Sequence, residues 1–60
     1  MNSRQVIKSL QNAGWVIDRH TRHCIMKKGK QIVPIPIHGS KDLPIGTLKS
    51  IAKITGVKLP

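Results

Sequence analysis

The chain has 60 residues, of which eleven are Lys or Arg and two are acidic, so its formal net charge is +9. This length allows one small domain, residues 1–60, while the single Cys24 and the lack of a long apolar run exclude a disulfide-rich scaffold, a signal peptide and a membrane span. We therefore expect a cytoplasmic domain whose positive charge serves an external polyanion, with nucleic acid the first candidate because neutralising phosphates releases counterions.

The first predicted element is a helix. Ser3 is a suitable N-cap, and Val6, Ile7 and Leu10 follow the spacing of one buried helical stripe. Gly14 stands where a helix often ends in a left-handed residue.

Three extended segments follow this helix. The first begins at Trp15, which we assign to the core, and the second begins at Cys24. The third alternates through residues 31–37, as a half-buried strand does. Because Pro34 and Pro36 lack backbone donors, this third strand is predicted at an edge of the sheet.

A second helix is predicted with Pro44 in its first turn and Gly56 as its stop. Its buried stripe consists of Ile45, Leu48, Ile51, Ala52 and Thr55. The order helix, three strands, helix predicts an α+β fold with a three-stranded antiparallel sheet and both helices on one face.

Two-residue turns at Thr21-Arg22 and Lys28-Gly29 give the predicted register of the strands. In it His20 pairs with His23, Ile17 with Met26, and Lys27 with Lys30. One face is then an apolar core face, made of Trp15, Ile17, Cys24, Met26, Val33, Ile35 and Ile37. The opposite, open face carries Asp18, His20, His23, Lys27, Lys30 and His38 among Ile25, Ile32 and the two prolines. All three histidines are thus predicted on one basic face.

Histidines on a basic face favour metal-free RNA cleavage. The ribose 2′-OH is the nucleophile, an imidazole with a reference pKa of about 6.5 removes its proton, and Lys or Arg stabilises the phosphoryl charge. A metal site of His20, His23 and Cys24 is disfavoured, because neighbouring strand residues point to opposite faces. We expect no metal and no cofactor.

Each candidate also has a structural reading. His23 beside a turn is by default a solvated residue, His20 is a neighbour that tunes it, and His38 caps a loop. Asp18 either orients His23 or forms an exposed ion pair with Arg19 or Lys27. The lysines of the second turn serve solubility alone in this reading.

Two further functions compete with cleavage. The first is an RNA-binding module without catalysis, which uses only Lys and Arg on phosphates; with one aromatic residue the chain has no platform for stacking bases. The second is a DNA-binding domain that reads bases with its second helix. This function is less well supported, because Lys49 and Lys53 are the only charged residues of that helix.

Several stretches resemble one known family. The most specific are Val33-Pro34 through His38-Gly39-Ser40-Lys41-Asp42-Leu43 and Gly46-Thr47-Leu48-Lys49-Ser50-Ile51, joined by Val6-Ile7-Lys8-Ser9-Leu10, Gly14-Trp15 and Arg19. In these residues the chain resembles the HicA toxins, the mRNA interferases of HicAB toxin–antitoxin systems. The resemblance spans nearly the whole chain and implies a fold like that of double-stranded-RNA-binding domains.

The resemblance also implies roles for particular residues. His23 matches the catalytic histidine, which acts as general base, or as acid and base in turn. The residues expected to hold the RNA backbone are Arg19, Arg22, Lys27, Lys28 and Lys30. Thr21-Arg22 stands where the family usually has Gly-Ser, and Cys24 stands where a second His is common, so Arg22 is a candidate to hold the scissile phosphate.

The partners implied are an mRNA substrate and a HicB-type antitoxin that covers the basic face. Operator DNA is expected to be contacted only through the antitoxin, and no membrane is involved. The group that protonates the leaving oxygen stays open between His20, His38 and water.

Overall fold

The computed structural model describes residues 1–59. Its elements in chain order are α1 (Ser3–Asn12), β1 (Val16–His20), β2 (His23–Lys28), β3 (Gln31–Pro36) and α2 (Ile45–Thr55). The strands form one antiparallel sheet in the order β1-β2-β3, so β1 and β3 are its edges. This confirms the α+β fold and the edge position of the proline-containing strand. Within the described residues, no helix is long and apolar enough to cross a bilayer.

The first helix begins with a capping box at Asn2. The Asn2 side chain accepts a hydrogen bond from the Gln5 backbone N–H, and the Gln5 side chain accepts one from the Asn2 backbone N–H, both at 2.9 Å. The predicted cap, Ser3, is wrong: it lies inside α1 and is buried. The reciprocal bond needs Gln or Glu three residues after the cap, and Ser3 has Val6 at that position.

One apolar core lies between the two helices and one face of the sheet. The helices contribute Val6, Leu10, Leu48 and Ile51, the strands contribute Cys24, Met26, Val33 and Ile35, and Trp15 and Leu43 complete the cluster. Three residues predicted to be buried are exposed: Ile17 by 46%, Ile37 by 40% and Ile45 by 72%. Ile17 lies on the edge strand β1, Ile37 just past β3 and Ile45 in the first turn of α2. The core does not extend to these three positions.

A β-bulge interrupts the pairing of β1 with β2. Ile17 pairs with Met26 as predicted, but the register then shifts so that Asp18 has no partner and His20 pairs with Cys24. Beyond a bulge the side chains of the strand change faces. His20 therefore aligns with the buried Cys24 on the side of the helices, and its predicted pairing with His23 on the open face is wrong.

The second hairpin also differs from the prediction. Lys28 pairs with Gln31, so the turn residues are Gly29-Lys30, and Lys27 pairs with Ile32 rather than with Lys30. Gly29 has φ 60°, which fits the first central position of a type II′ turn. This slip is two residues, an even number, so every side chain of β2 and β3 keeps its predicted face.

Gly46 within α2 and Gly56 directly after it provide a test of stability. Gly56, which ends the helix, has φ 72° in the left-handed region, whereas Gly46 lies inside the helix with no atom near the place of a Cβ. We expect Gly56→Ala to lower the free energy of unfolding by about 1 kcal/mol and Gly46→Ala to raise it by about 0.5–1 kcal/mol. Urea denaturation measures both, and effects of the same sign would contradict the assignment.

Candidate nucleic-acid interface

The helices leave one face of the sheet uncovered, and we call it the open face. Its side chains form three rows across the strands: Val16–Lys27–Ile32, Arg19–Ile25–Pro34 and His23–Pro36. Basic and apolar groups thus alternate on it, and Ile32 is 60% exposed and Val16 53% exposed. A surface of this kind suits an anionic ligand or a partner that brings both charge and apolar contact.

His23 is the first residue of β2, and its side chain is exposed on the open face. Its backbone carbonyl accepts hydrogen bonds from the Thr21 backbone N–H at 3.0 Å and from the Thr21 hydroxyl at 3.4 Å. The main chain is thereby held at the hairpin. Within residues 1–59 no group forms a hydrogen bond with the His23 ring, and both His23 and its neighbour in sequence, Arg22, are exposed.

Asp18, the bulge residue, links two cations of the open face. Its carboxylate oxygens lie 3.2 Å from Arg19 Nε and 3.4 Å from Lys27 Nζ. The hydrogen bond from Arg19, assisted by Lys27, holds the pKa of Asp18 below its ordinary value. Of the two roles considered for Asp18, the structure shows the ion pair, which fixes Arg19 and Lys27 side by side.

The lysines expected to hold RNA are placed differently from one another. Lys28 follows Lys27 in β2, so its side chain lies on the opposite side of the sheet, toward the helices. There its Nζ donates a 2.8 Å hydrogen bond to the Ala13 carbonyl at the end of α1. A cation there is favourable because helix carbonyls are unsatisfied at that end. Lys30 is exposed in the second turn, at the far end of β2 from Arg22.

The structure places His20 and His23 on opposite sides of the sheet. His23 lies on the open face, whereas His20 lines a groove on the other side of the sheet with Arg4 and Lys8 of α1. His38 is exposed two residues beyond Pro36, the Cα partner of His23. The bulge at Asp18 causes the separation of His20 from His23. The basic side of α1 formed by Arg4 and Lys8 was not predicted from the sequence. Two basic residues four positions apart on a predicted helix without acids could have indicated it.

Cys24 belongs to the core rather than to the site. It is fully buried, and burial raises the pKa of its thiol, so the group stays protonated. His23, its neighbour in sequence, points to the open face. Among residues 1–59 no three His, Cys, Asp or Glu side chains cluster closely enough to hold a metal ion.

The Asp18 ion pairs predict a pH-dependent effect on stability. Because the pKa of Asp18 is lowered by folding, its stabilisation is present above about pH 3.9, the value for an unfolded Asp, and is lost as pH falls through the lower folded value. We expect Asp18→Asn to be less stable than the unaltered chain at pH 7. The difference should shrink below about pH 4 and with added salt. Denaturation from pH 7 to 2 measures it, and a constant difference would contradict the assignment.

Comparison with known proteins agrees with these features. A family model described as "HicA toxin of bacterial toxin-antitoxin" matches residues 3–57, which include both helices and all three strands. No curated protein and no solved structure matches the chain significantly. Since the family match covers nearly the whole chain, the resemblance seen in the sequence is confirmed. The chain belongs to the HicA family of toxins from bacterial toxin–antitoxin systems.

Proposed function

We propose that this toxin is a metal-independent endoribonuclease that cleaves mRNA in the cytoplasm, with His23 as its general base. The single observation behind this proposal is the exposed His23 ring, without a hydrogen-bond partner among residues 1–59, on a face that also carries Arg19 and Lys27. Family membership supports the toxin role, and the site chemistry supports RNA as the target.

The proposed reaction uses the ribose 2′-OH as its nucleophile. His23 accepts the 2′-OH proton, the 2′ oxygen attacks the adjacent phosphorus, and the 5′ oxygen leaves with a proton. The products are a 2′,3′-cyclic phosphate and a 5′-hydroxyl end. The leaving oxygen takes its proton from His23 in turn, from His38 or from water. DNA lacks the 2′-OH and is not cut.

The cations around His23 are proposed to hold the RNA backbone. Arg22 directly precedes His23 at the hairpin tip, and we assign it to the scissile phosphate. Arg19 and Lys27 extend the contact along the open face. Lys30 lies past the far end of β2, a strand of six residues with a length of about 20 Å. We assign Lys28 a structural role instead, because its Nζ is bonded to the Ala13 carbonyl.

The first test is cleavage of total mRNA by the purified chain in EDTA. We expect fragments with 2′,3′-cyclic phosphate ends and a rate at least about 100-fold lower for His23→Ala, because positioned general bases contribute about 10²–10⁴-fold. Gln31→Ala is the matched control, since it also removes an exposed polar side chain from the sheet. Gln31 pairs with Lys28 and therefore lies on the helix side of the sheet, not on the open face. Both variants should melt like the unaltered chain.

Two outcomes would overturn this mechanism. Cleavage by His23→Ala at the unaltered rate would assign the base elsewhere. Intact RNA with tight, salt-sensitive binding would favour the RNA-binding module without catalysis, since phosphate contacts alone give that salt dependence.

A toxin of this family acts with an antitoxin as its partner, and we propose that a HicB-type antitoxin covers the open face. An acidic domain docked there would neutralise Arg19 and Lys27, bury Ile32 and Val16 and block His23. Binding of the folded toxin would also stabilise its small core by mass action. Operator DNA is then contacted by the antitoxin alone.

Two exposed isoleucines provide a matched pair for this docking surface. Ile32 lies on the open face and is 60% exposed, whereas Ile45 lies on α2 and is 72% exposed. We expect Ile32→Gln to weaken the antitoxin complex about tenfold, because burying this exposed surface is worth about 1–2 kcal/mol. Ile45→Gln should change the affinity little. Calorimetry with the purified antitoxin measures both, and equal effects would place the interface elsewhere.

A further inference from the structure

We propose that a groove between α1 and the end of β1 binds the sugar–phosphate backbone of the same RNA strand that is cut at His23. We call it the α1 groove. It has a volume of about 480 Å³ and its lining includes Arg4, Ile7, Lys8, Gln11, His20 and Ile37. This volume falls within the range of ligand sites. The proposal rests on the proposed function, because it names a second contact for the same substrate.

Basic side chains from two elements converge on the α1 groove. Arg4 and Lys8 are four residues apart on α1 and so lie on the same side of the helix. His20 comes from β1 and reaches the groove because the bulge turns it to the side of the helices. The residues lining the groove, all within the described part of the chain, include no acid.

The positions of these cations are unfavourable for the isolated chain. Arg4 lies in the first turn of α1, where the helix dipole favours anions, and that turn holds no acid. Arg4 and Lys8 also repel each other at their four-residue spacing. The helix would be more stable with neutral side chains at both positions. A bound anion removes both penalties.

Within residues 1–59 no acidic side chain lines the α1 groove. Its two acids are Asp18 and Asp42. Asp18 is paired with Arg19 and Lys27 on the open face, and Asp42 lies 3.2 Å from the amino group of Met1. Among residues 1–59, Arg4 and Lys8 thus have no acidic side chain that balances their charge, and an anionic ligand would supply the opposite charge.

The apolar lining matches a nucleotide better than a free inorganic anion. Ile7 is partly buried against the core, and Ile37 is 40% exposed, so both offer contact to a sugar or a base. Gln11 adds an amide that donates and accepts hydrogen bonds. Phosphates between Arg4 and Lys8, with sugar or base against Ile7 and Ile37, would use both the basic and the apolar groups of the α1 groove.

One RNA strand is long enough to reach both sites. His20 and His23 lie on opposite sides of the sheet, with only Thr21 and the exposed Arg22 between them at the hairpin tip. The shortest extent of the molecule is 17 Å, which about five nucleotides span at the 3.4 Å rise of a stacked helix. An unstacked single strand is more extended and spans this length with fewer nucleotides. A strand leaving His23 therefore passes Arg22 and enters the α1 groove within a few nucleotides, whereas a dinucleotide, which has one phosphate, occupies one site only.

The test is binding of a 2′-O-methyl RNA of about 20 nucleotides, which has no free 2′-OH and so measures binding whether or not the chain cleaves RNA. Arg4→Gln/Lys8→Gln is compared with Lys49→Gln/Lys53→Gln, which removes two exposed charges at the same spacing from α2. We expect the first pair to weaken binding at least about tenfold at 0.1 M salt and to lower the slope of log K against log salt by about 1.4. The control pair should weaken binding less than about threefold.

Melting curves and a dinucleotide complete the design. Arg4→Gln/Lys8→Gln should melt no lower than the unaltered chain, since the removed charges are unfavourable. It should lose more affinity for the long strand than for the dinucleotide. Equal losses from the two pairs, or equal losses for the two RNA lengths, would overturn the proposal. So would a variant that binds RNA normally and loses only the antitoxin.

The two proposals fail in distinguishable ways. Unmodified RNA that stays intact in EDTA refutes cleavage and leaves the binding result for the α1 groove standing. Cleavage that depends on His23, together with unchanged binding by Arg4→Gln/Lys8→Gln, supports the enzyme and refutes the groove.

Discussion

The unpaired Asp18 in β1 determines which side chains share a face in this molecule. Before it, β1 and β2 pair in the register of a simple hairpin; after it, the strand is displaced by one residue. That displacement sends His20 to the helices and leaves His23 with Arg19 and Lys27 on the open face. The carboxylate of Asp18 then ties Arg19 to Lys27, so one residue both breaks the ladder and arranges the charges around the break.

The remaining contacts show how a chain with a net charge of +9 is held together. Both acids are used in ion pairs, and Lys28 is placed on the carbonyl of Ala13, where a positive charge is favourable. Among residues 1–59 the other exposed cations form no ion pair with an acid. A polyanion or an acidic partner on the surface would therefore relieve repulsion that the fold retains.

Much of the fold could be predicted because it depends on periodicity and on residues with strong backbone preferences. The stripe of Val6 and Leu10, the edge strand with two prolines and the helix stop at Gly56 all belong to this class. The placement of His23 was also predictable, since a register slip of two residues does not change faces. The bulge was not, because neither Gly nor Pro marks Asp18. His20 was consequently assigned to the wrong face, and Arg4 and Lys8, whose groove needs His20 on the helix side, were overlooked.

The two prolines of β3 have a consequence for a sheet whose open face has no helix over it. Pro34 and Pro36 stand two residues apart, so in an antiparallel ladder they point their nitrogens in the same direction, away from β2. The outer rim of β3 thus lacks two of the amide donors that an invading strand would need. At the opposite rim, the kink at Asp18 and the charges of Asp18 and Arg19 are equally poor templates for another chain. Both rims of the sheet therefore disfavour edge-to-edge pairing with another chain, whether or not a partner covers the open face.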